Sequence, residues 1–290
     1  MALAPNYYRF NQGSWNFAVL PDYWSRELQE LVLQVVEGAL PSKHPQTVSL
    51  RQPGPKHGEV VYLKIFHGFR NIVNLKDLFR DSKAFRSLRQ SVALARAGFD
   101  APTIIGAGEA RRFRWLLRAF TVSTAIPGQP LPLFLHNCYS QGSSGLSLSK
   151  KRDSLRRLAE QVRRLHSLGF VHGDLVPSNI CVSQTERGGD RFFFMDNDRT
   201  RRYPSRLPQT LWKRNLVQLN RLPLPGISLQ DRMRFFRWYR GDRELRAADR
   251  KLLRWLEMKT RQRRKEIDAV DATIDFRKLM RWEKNTARSF

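Results

Sequence analysis

Alternation of apolar and polar residues first becomes regular at TVSL (47–50) and VVYLKIF (60–66), which flank the turn-rich QPGPKHGE and predict a β-hairpin. The segment SKAFRSLRQSVALARAG (82–98) changes period: Phe85, Leu88, Val92 and Ala95 recur at helical spacing, and Gly98 marks the stop. RFRWLLRAFTVS (112–123) returns to a strand-like pattern, and AIPGQPLP (125–132) has the turn chemistry of a linker. A boundary there predicts two lobes, residues 1–124 and 125–290. In the second, KKRDSLRRLAEQVRRLHSLG (150–169) places Leu155, Leu158, Ala159, Val162 and Leu165 on one helix face and stops at Gly169. Short strands are expected at ICVS (180–183) and within RFFFMDNDR (191–199), separated by a polar turn, and residues 211–265 read as helical. No internal repeat is visible.

Composition adds a bias to this outline. With 290 residues, 41% of them apolar, the chain can fill one large core or two smaller ones. Its formal net charge is +26, unevenly placed: residues 1–110 carry 13 basic and 9 acidic side chains, residues 111–290 carry 39 and 17. The second part is therefore expected to face something anionic, whether phosphates, nucleic acid or an acidic membrane. Two cysteines, Cys138 and Cys181, form neither a disulfide framework nor a zinc pattern, which fits a reducing cytoplasm. The start of the chain lacks the build of a signal peptide, and the charge-free run 119–149 is broken by prolines, so no integral membrane segment is expected.

The stretch FVHGDLVPSNIC (170–181) carries the chemistry. Phosphoryl transfer needs a carboxylate to receive the proton of an attacking hydroxyl, oxygens for magnesium and a lysine for nucleotide phosphates. His172, Asp174 and Asn179 have the H-x-D-x-x-x-x-N spacing of a kinase catalytic loop; Asp196 follows 22 residues after Asp174, and Lys64 stands on the earlier VVYLK strand. Singly, each is an ordinary turn, cap or surface residue; together, in this order, they predict an α+β, bilobal protein-kinase-like fold with a small, mostly β N-lobe and a larger helical C-lobe.

These residues resemble a family, the lipopolysaccharide core kinases that phosphorylate Kdo or heptose. The resemblance runs over about residues 45–257: VYLK, SKAFRSLRQSVALARAGFDAP, HGDLVPSNI with FFMDNDRTRR, and NLVQLNRLPLPGISLQDRMRFFRWYRG. It implies an ATP- and magnesium-dependent kinase acting on a sugar hydroxyl of the lipopolysaccharide inner core or a related glycolipid. Asp174 would be the base, with His172 in the catalytic loop, Asn179 and Asp196 the metal ligands, and Lys64 the nucleotide-phosphate contact. The protein-kinase pattern is not met everywhere. No glycine-rich loop precedes Lys64, and Lys43 in EGALPSKHPQ (37–46) is the candidate to cover phosphates; the 82–98 helix has no glutamate for Lys64; DND stands where DFG would.

Arg199 and Arg201, beside the metal aspartate, are candidates for substrate phosphate or carboxylate. There are three basic runs, Lys150 to Arg164, Arg199 to Arg206 and Lys259 to Lys265; an anionic bilayer would attract such residues, and the third run is assigned to it, giving a cytoplasmic protein peripheral on the inner membrane. Rival readings are a small-molecule or protein kinase of the same fold, and a non-catalytic pseudokinase binding an anionic membrane or nucleic acid; for nucleic acid, only charge speaks.

Overall fold

The computed structural model describes residues 6–53, 58–68, 80–139, 145–185, 189–203, 209–221, 226–241 and 244–266. The chain divides into two compact units, Met1–Ile126 with Asp196–Arg199, and Pro127–Met195 with Thr200–Phe290.

The first unit is built on a six-stranded antiparallel sheet in the order β1-β2-β5-β6-β4-β3. Its strands are β1 (Tyr8–Gln12), β2 (Trp15–Val19), β3 (Gln46–Arg51), β4 (Val60–His67), β5 (Ile104–Arg112) and β6 (Trp115–Thr124). The expected hairpin is present, with Thr47 opposite Lys64 and Val48 opposite Leu63. Alternation along β4 sends Val61, Leu63 and Ile65 to one face, where they pack with Leu28, Val32 and Val36 of helix α1 (Arg26–Gly38). Phe66 takes the other face with Ala84, Phe85 and Leu88 of α2 (Lys83–Arg96), so the period of two also assigns Lys64 to the α2 side. Residues 39–45, including the exposed Lys43, link α1 to β3, so a helix rather than a strand stands before this hairpin.

Helix α2 begins where Ser82 accepts a hydrogen bond from the Phe85 amide and ends before Gly98, whose φ of 75° suits a residue without Cβ. Its buried stripe is Ala84, Phe85, Leu88, Ser91 and Leu94. Ala95, expected inside, is exposed: the helix is turned so that Ser91 faces inward to a polar partner. The strand expected from residue 112 begins instead at Trp115, because Phe113 and Arg114, at φ 49° and 67°, form the two-residue turn of the β5–β6 hairpin.

The second unit carries α3 (Leu131–Tyr139), α4 (Gly145–Ser167), α5 (Gln209–Leu219), α6 (Leu229–Tyr239) and α7 (Ala247–Glu266), with short strands β7 (Gln129–Pro130), β8 (Phe170–Val171), β9 (Ile180–Gln184), β10 (Asp190–Phe194) and β11 (Arg201–Arg202). Thus the 125–132 stretch is more than a linker: Gln129 and Pro130 pair with Val182 and Cys181. A Cβ at Gly128 would lie 2.3 Å from the Val182 carbonyl oxygen, which is why a glycine precedes the pairing. The five apolar residues expected on the inner face of α4 are all buried.

One member of the basic run on that helix is not a surface charge. Lys151 is 7% exposed, 3.1 Å from the Asp231 carboxylate, and donates to the Gly226 carbonyl. Asp231 also closes the capping box of α6 with Ser228; burial works to raise its carboxyl, but the hydrogen bonds from Ser228 and Lys151 win and hold it below the usual range. Arg206 lies outside the described residues, as do the side chains of Arg264 and Lys265. No helix among the described residues is long and apolar enough to cross a membrane.

Candidate functional site

Each unit positions its own set of predicted residues. In the first, Lys64 Nζ lies 2.6 Å from Asp196 Oδ1, bringing together two residues 132 positions apart. Asp196 has φ 55°, a left-handed conformation that costs most residues energy and that aspartate tolerates better than most. The reversal starts the 3-10 turn Asn197–Arg199, in which the buried Asn197 donates to Ser91 of α2. Ser91 thus explains the rotation of the α2 stripe: the helix uses a hydroxyl to hold the aspartate-bearing turn. Asp198 has its carboxyl raised, chiefly by burial and then by the neighbouring Asp196 charge, with Lys64, Arg199 and Lys83 opposing. Glu109 pairs with Arg111 and accepts from the Ser82 amide at the start of α2, so its task is local to that helix end.

In the second unit, Gly173 at φ 79° bends the chain between His172 and Asp174, and Leu175 is fully buried. The Asp174 carbonyl accepts from the Val176 amide and from Asn179 Nδ2 at 3.0 Å. That second bond fixes the Asn179 amide with its nitrogen committed and its oxygen available as an acceptor. The Met195 amide donates to the Asn179 carbonyl, so the residue before Asp196 is tied to the loop. His172 is fully buried, its ring 6.1 Å from that of Phe194. Arg199 and Arg201 are both exposed, the first in the 3-10 turn of unit one, the second opposite Val171 in unit two. The donors proposed for a metal are hard oxygens, one amide and one carboxylate, the chemistry magnesium prefers.

Sequence reasoning missed a polar group beneath the loop. His166 on α4 sits 2.9 Å from the Tyr239 hydroxyl through Nδ1 and 3.2 Å from Asn215 Oδ1 through Nε2. Burial pushes the imidazole down to about 4 from its ordinary 6.5, with the Asn215 bond opposing. In this window the unfolded chain holds the proton and the folded one does not, so stability is complete above pH 6.5 and falls as pH drops toward 4. We expect the denaturation midpoint to fall more steeply from pH 7 to 4.5 in the parent than in His166→Gln; equal slopes would show that His166 titrates normally.

The sequence profile described as "Lipopolysaccharide kinase (Kdo/WaaP) family" matches residues 59–239, more than half of the chain. The chain belongs to this family. Among solved structures, it resembles one described as "WaaP in complex with acyl carrier protein": 20% identity over 81% of this chain and 92% of that one, with a TM-score of 0.58. At such identity the likeness is one of fold, and it agrees with the expected α+β, protein-kinase-like architecture. A Toxoplasma gondii rhoptry antigen kinase domain matches at 19% identity over 62% of this chain and 60% of that one, with a TM-score of 0.34, too low to carry an argument. No curated protein matches in sequence. Membership of a kinase family implies use of ATP.

Proposed function

We propose that this Kdo/WaaP-family kinase transfers the terminal phosphoryl group of ATP to a sugar hydroxyl, Kdo or heptose, of the lipopolysaccharide inner core or a related glycolipid. The observation that carries this reading is the Lys64–Asp196 pair, 2.6 Å long, with the residue before Asp196 bonded through its amide to the Asn179 carbonyl. Asp174 receives the proton as the acceptor oxygen attacks the terminal phosphorus, and the bond from phosphorus to the bridging oxygen breaks to release ADP. Lys64 contacts phosphate oxygens, and exposed Lys43 is the candidate to cover them. Asn179 and Asp196 hold magnesium, which when bound offsets phosphate charge. His172 supports the loop rather than meeting substrate, since its ring is buried. Arg199 and Arg201 are assigned to the acceptor.

Two finer readings concern partners. The exposed basic residues of α7, among them Arg261 and Arg263, fit an anionic membrane surface, with attraction that weakens as salt screens it. A cavity of about 1180 Å³ between α3, α4, α5, α6 and α7 is lined by Leu135, Leu158, Leu219, Met233 and Leu253, with Arg254 at its lining. Its apolar walls suit an acyl chain, and an acyl carrier protein is the partner we propose to present one.

The test is a radiolabelled phosphate-transfer assay with delipidated core oligosaccharide, alongside vesicle sedimentation. Label should enter the oligosaccharide. Neutralising Lys259, Arg261 and Arg263 should release the protein from anionic vesicles and leave soluble-acceptor turnover unchanged; Arg199→Ala with Arg201→Ala should do the reverse. Acylated carrier protein should bind more tightly than its unacylated form. Transfer to a protein or small alcohol but not to the core would overturn the acceptor, and salt-sensitive RNA binding without vesicle binding would overturn the membrane reading.

A further inference from the structure

Helix α5 places Asn215 and Gln218 one turn apart among buried Leu216, Val217 and Leu219. A polar pair among buried apolar side chains must be matched to partners or it costs stability. The partners here are the backbone of the HGDL loop. Asn215 Oδ1 accepts from the His172 amide at 3.2 Å; Gln218 Oε1 accepts from the Leu175 amide at 3.3 Å; Gln218 Nε2 donates to the Gly173 carbonyl at 3.1 Å. The residues immediately before and after Asp174 are therefore both held by one side chain.

The directions of these bonds are forced. A backbone amide only donates and a carbonyl only accepts, which fixes the orientation of both side-chain amides. Asn215 Nδ2 then donates to Gln218 Oε1 at 3.0 Å, as found. His166 must donate from Nε2 to Asn215 Oδ1, leaving Nδ1 to accept the Tyr239 hydroxyl proton. Every member has one role, so the chain Tyr239, His166, Asn215, Gln218 has a single polarity and holds the loop in one arrangement. A further tether, Thr200 Oγ1 donating to the His172 carbonyl, comes from the segment that follows the Asp196 turn.

We propose that Asn215 and Gln218 are positioning residues for phosphoryl transfer: they fix the backbone on both sides of Asp174, and His166 with Tyr239 fixes them. This rests on Asp174 acting as the base, and it gives a task to the NLVQLN and FRWY segments, which the phosphate chemistry leaves unused. Misplacing a catalytic group by about 1 Å costs about a hundredfold in rate, so the clamp acts on turnover more than on binding.

The test compares Gln218→Met, which keeps the volume without hydrogen bonds, with Gln218→Glu, which keeps the acceptor and loses the donor. Amide hydrogen exchange at Leu175 should rise in the Met variant and stay near the parent in the Glu variant. Turnover should fall about 10- to 100-fold in the Met variant, less in the Glu variant, with KM for ATP unchanged in both. Lys151→Met, which breaks a buried ion pair elsewhere on α4, should lower Tm with no loss of kcat per folded molecule. Unchanged exchange at Leu175, or raised exchange with parental kcat, would overturn the clamp. Exchange needs no acceptor, so a parent that phosphorylates no core sugar defeats the functional reading while exchange still decides whether the loop is held as described.

Discussion

Asp174→Ala is expected to lower phosphoryl transfer by about 10²- to 10⁴-fold, the usual contribution of a positioned base, while ATP binding stays near the parental value. As the proposed base, the carboxylate would act on the acceptor hydroxyl, and its removal leaves Lys64 and Asp196 paired in the other unit. The loop should also persist. Its shape depends on the Asp174 carbonyl, which accepts from Val176 and Asn179, and on the neighbouring backbone held by Gln218, none of which needs the carboxylate. Nucleotide affinity by calorimetry and transfer by radiolabel check both halves. Parental transfer rates in the variant would remove Asp174 from the mechanism; loss of nucleotide affinity with loss of transfer would recast it as a binding residue.

The contrast between what was legible and what was not follows from range. The β3–β4 hairpin and α2 and α4 are specified by residues close in sequence: alternation around Lys64, a Ser82 cap, a Gly98 stop, a leucine stripe. Strand β5 escaped because Gly106, Ala107 and Gly108 have poor strand propensity. Their size is set from far away: a Cβ at Gly106 would meet Trp24 at 2.2 Å, and one at Gly108 would meet Phe120 at 2.4 Å. The strand is small because aromatic rings lie on it. Helix α1 had a local signal that went unused, since Leu28, Val32 and Val36 recur every four residues after the Ser25 cap.

At the proposed site, the loop residues and Asp196 are named by spacing alone, because the chemistry proposed for them needs a fixed order. Their supports are not. Asn215 and Gln218 lie 43 residues from the amides they receive, and nothing local says which backbone they meet. The available hint was a polar pair with helical spacing inside an apolar run. Lys151 shows the opposite failure: it reads as one more surface charge, and only the fold reveals Asp231 waiting for it.

The second large effect is expected at Asp196. Asparagine is the informative replacement, because it tolerates the left-handed φ of 55° at least as well as aspartate and has almost the same shape, whereas alanine would mix backbone strain with loss of charge. The turn should therefore survive, with Asn197 still donating to Ser91 and Met195 still bonded to Asn179. What goes is one anionic oxygen of the proposed magnesium pair and the partner of Lys64. A metal ion at a phosphoryl centre is worth several kcal/mol, and each 1.4 kcal/mol is tenfold. Asp196→Asn should therefore lose transfer by about a hundredfold or more, and its nucleotide affinity should no longer rise when magnesium is added. Chelating magnesium from the parent should reproduce the nucleotide affinity of the variant. Magnesium titrations that superimpose for parent and Asp196→Asn would reduce Asp196 to a counter-ion for Lys64, and the turn it opens to a structural reversal between β10 and β11.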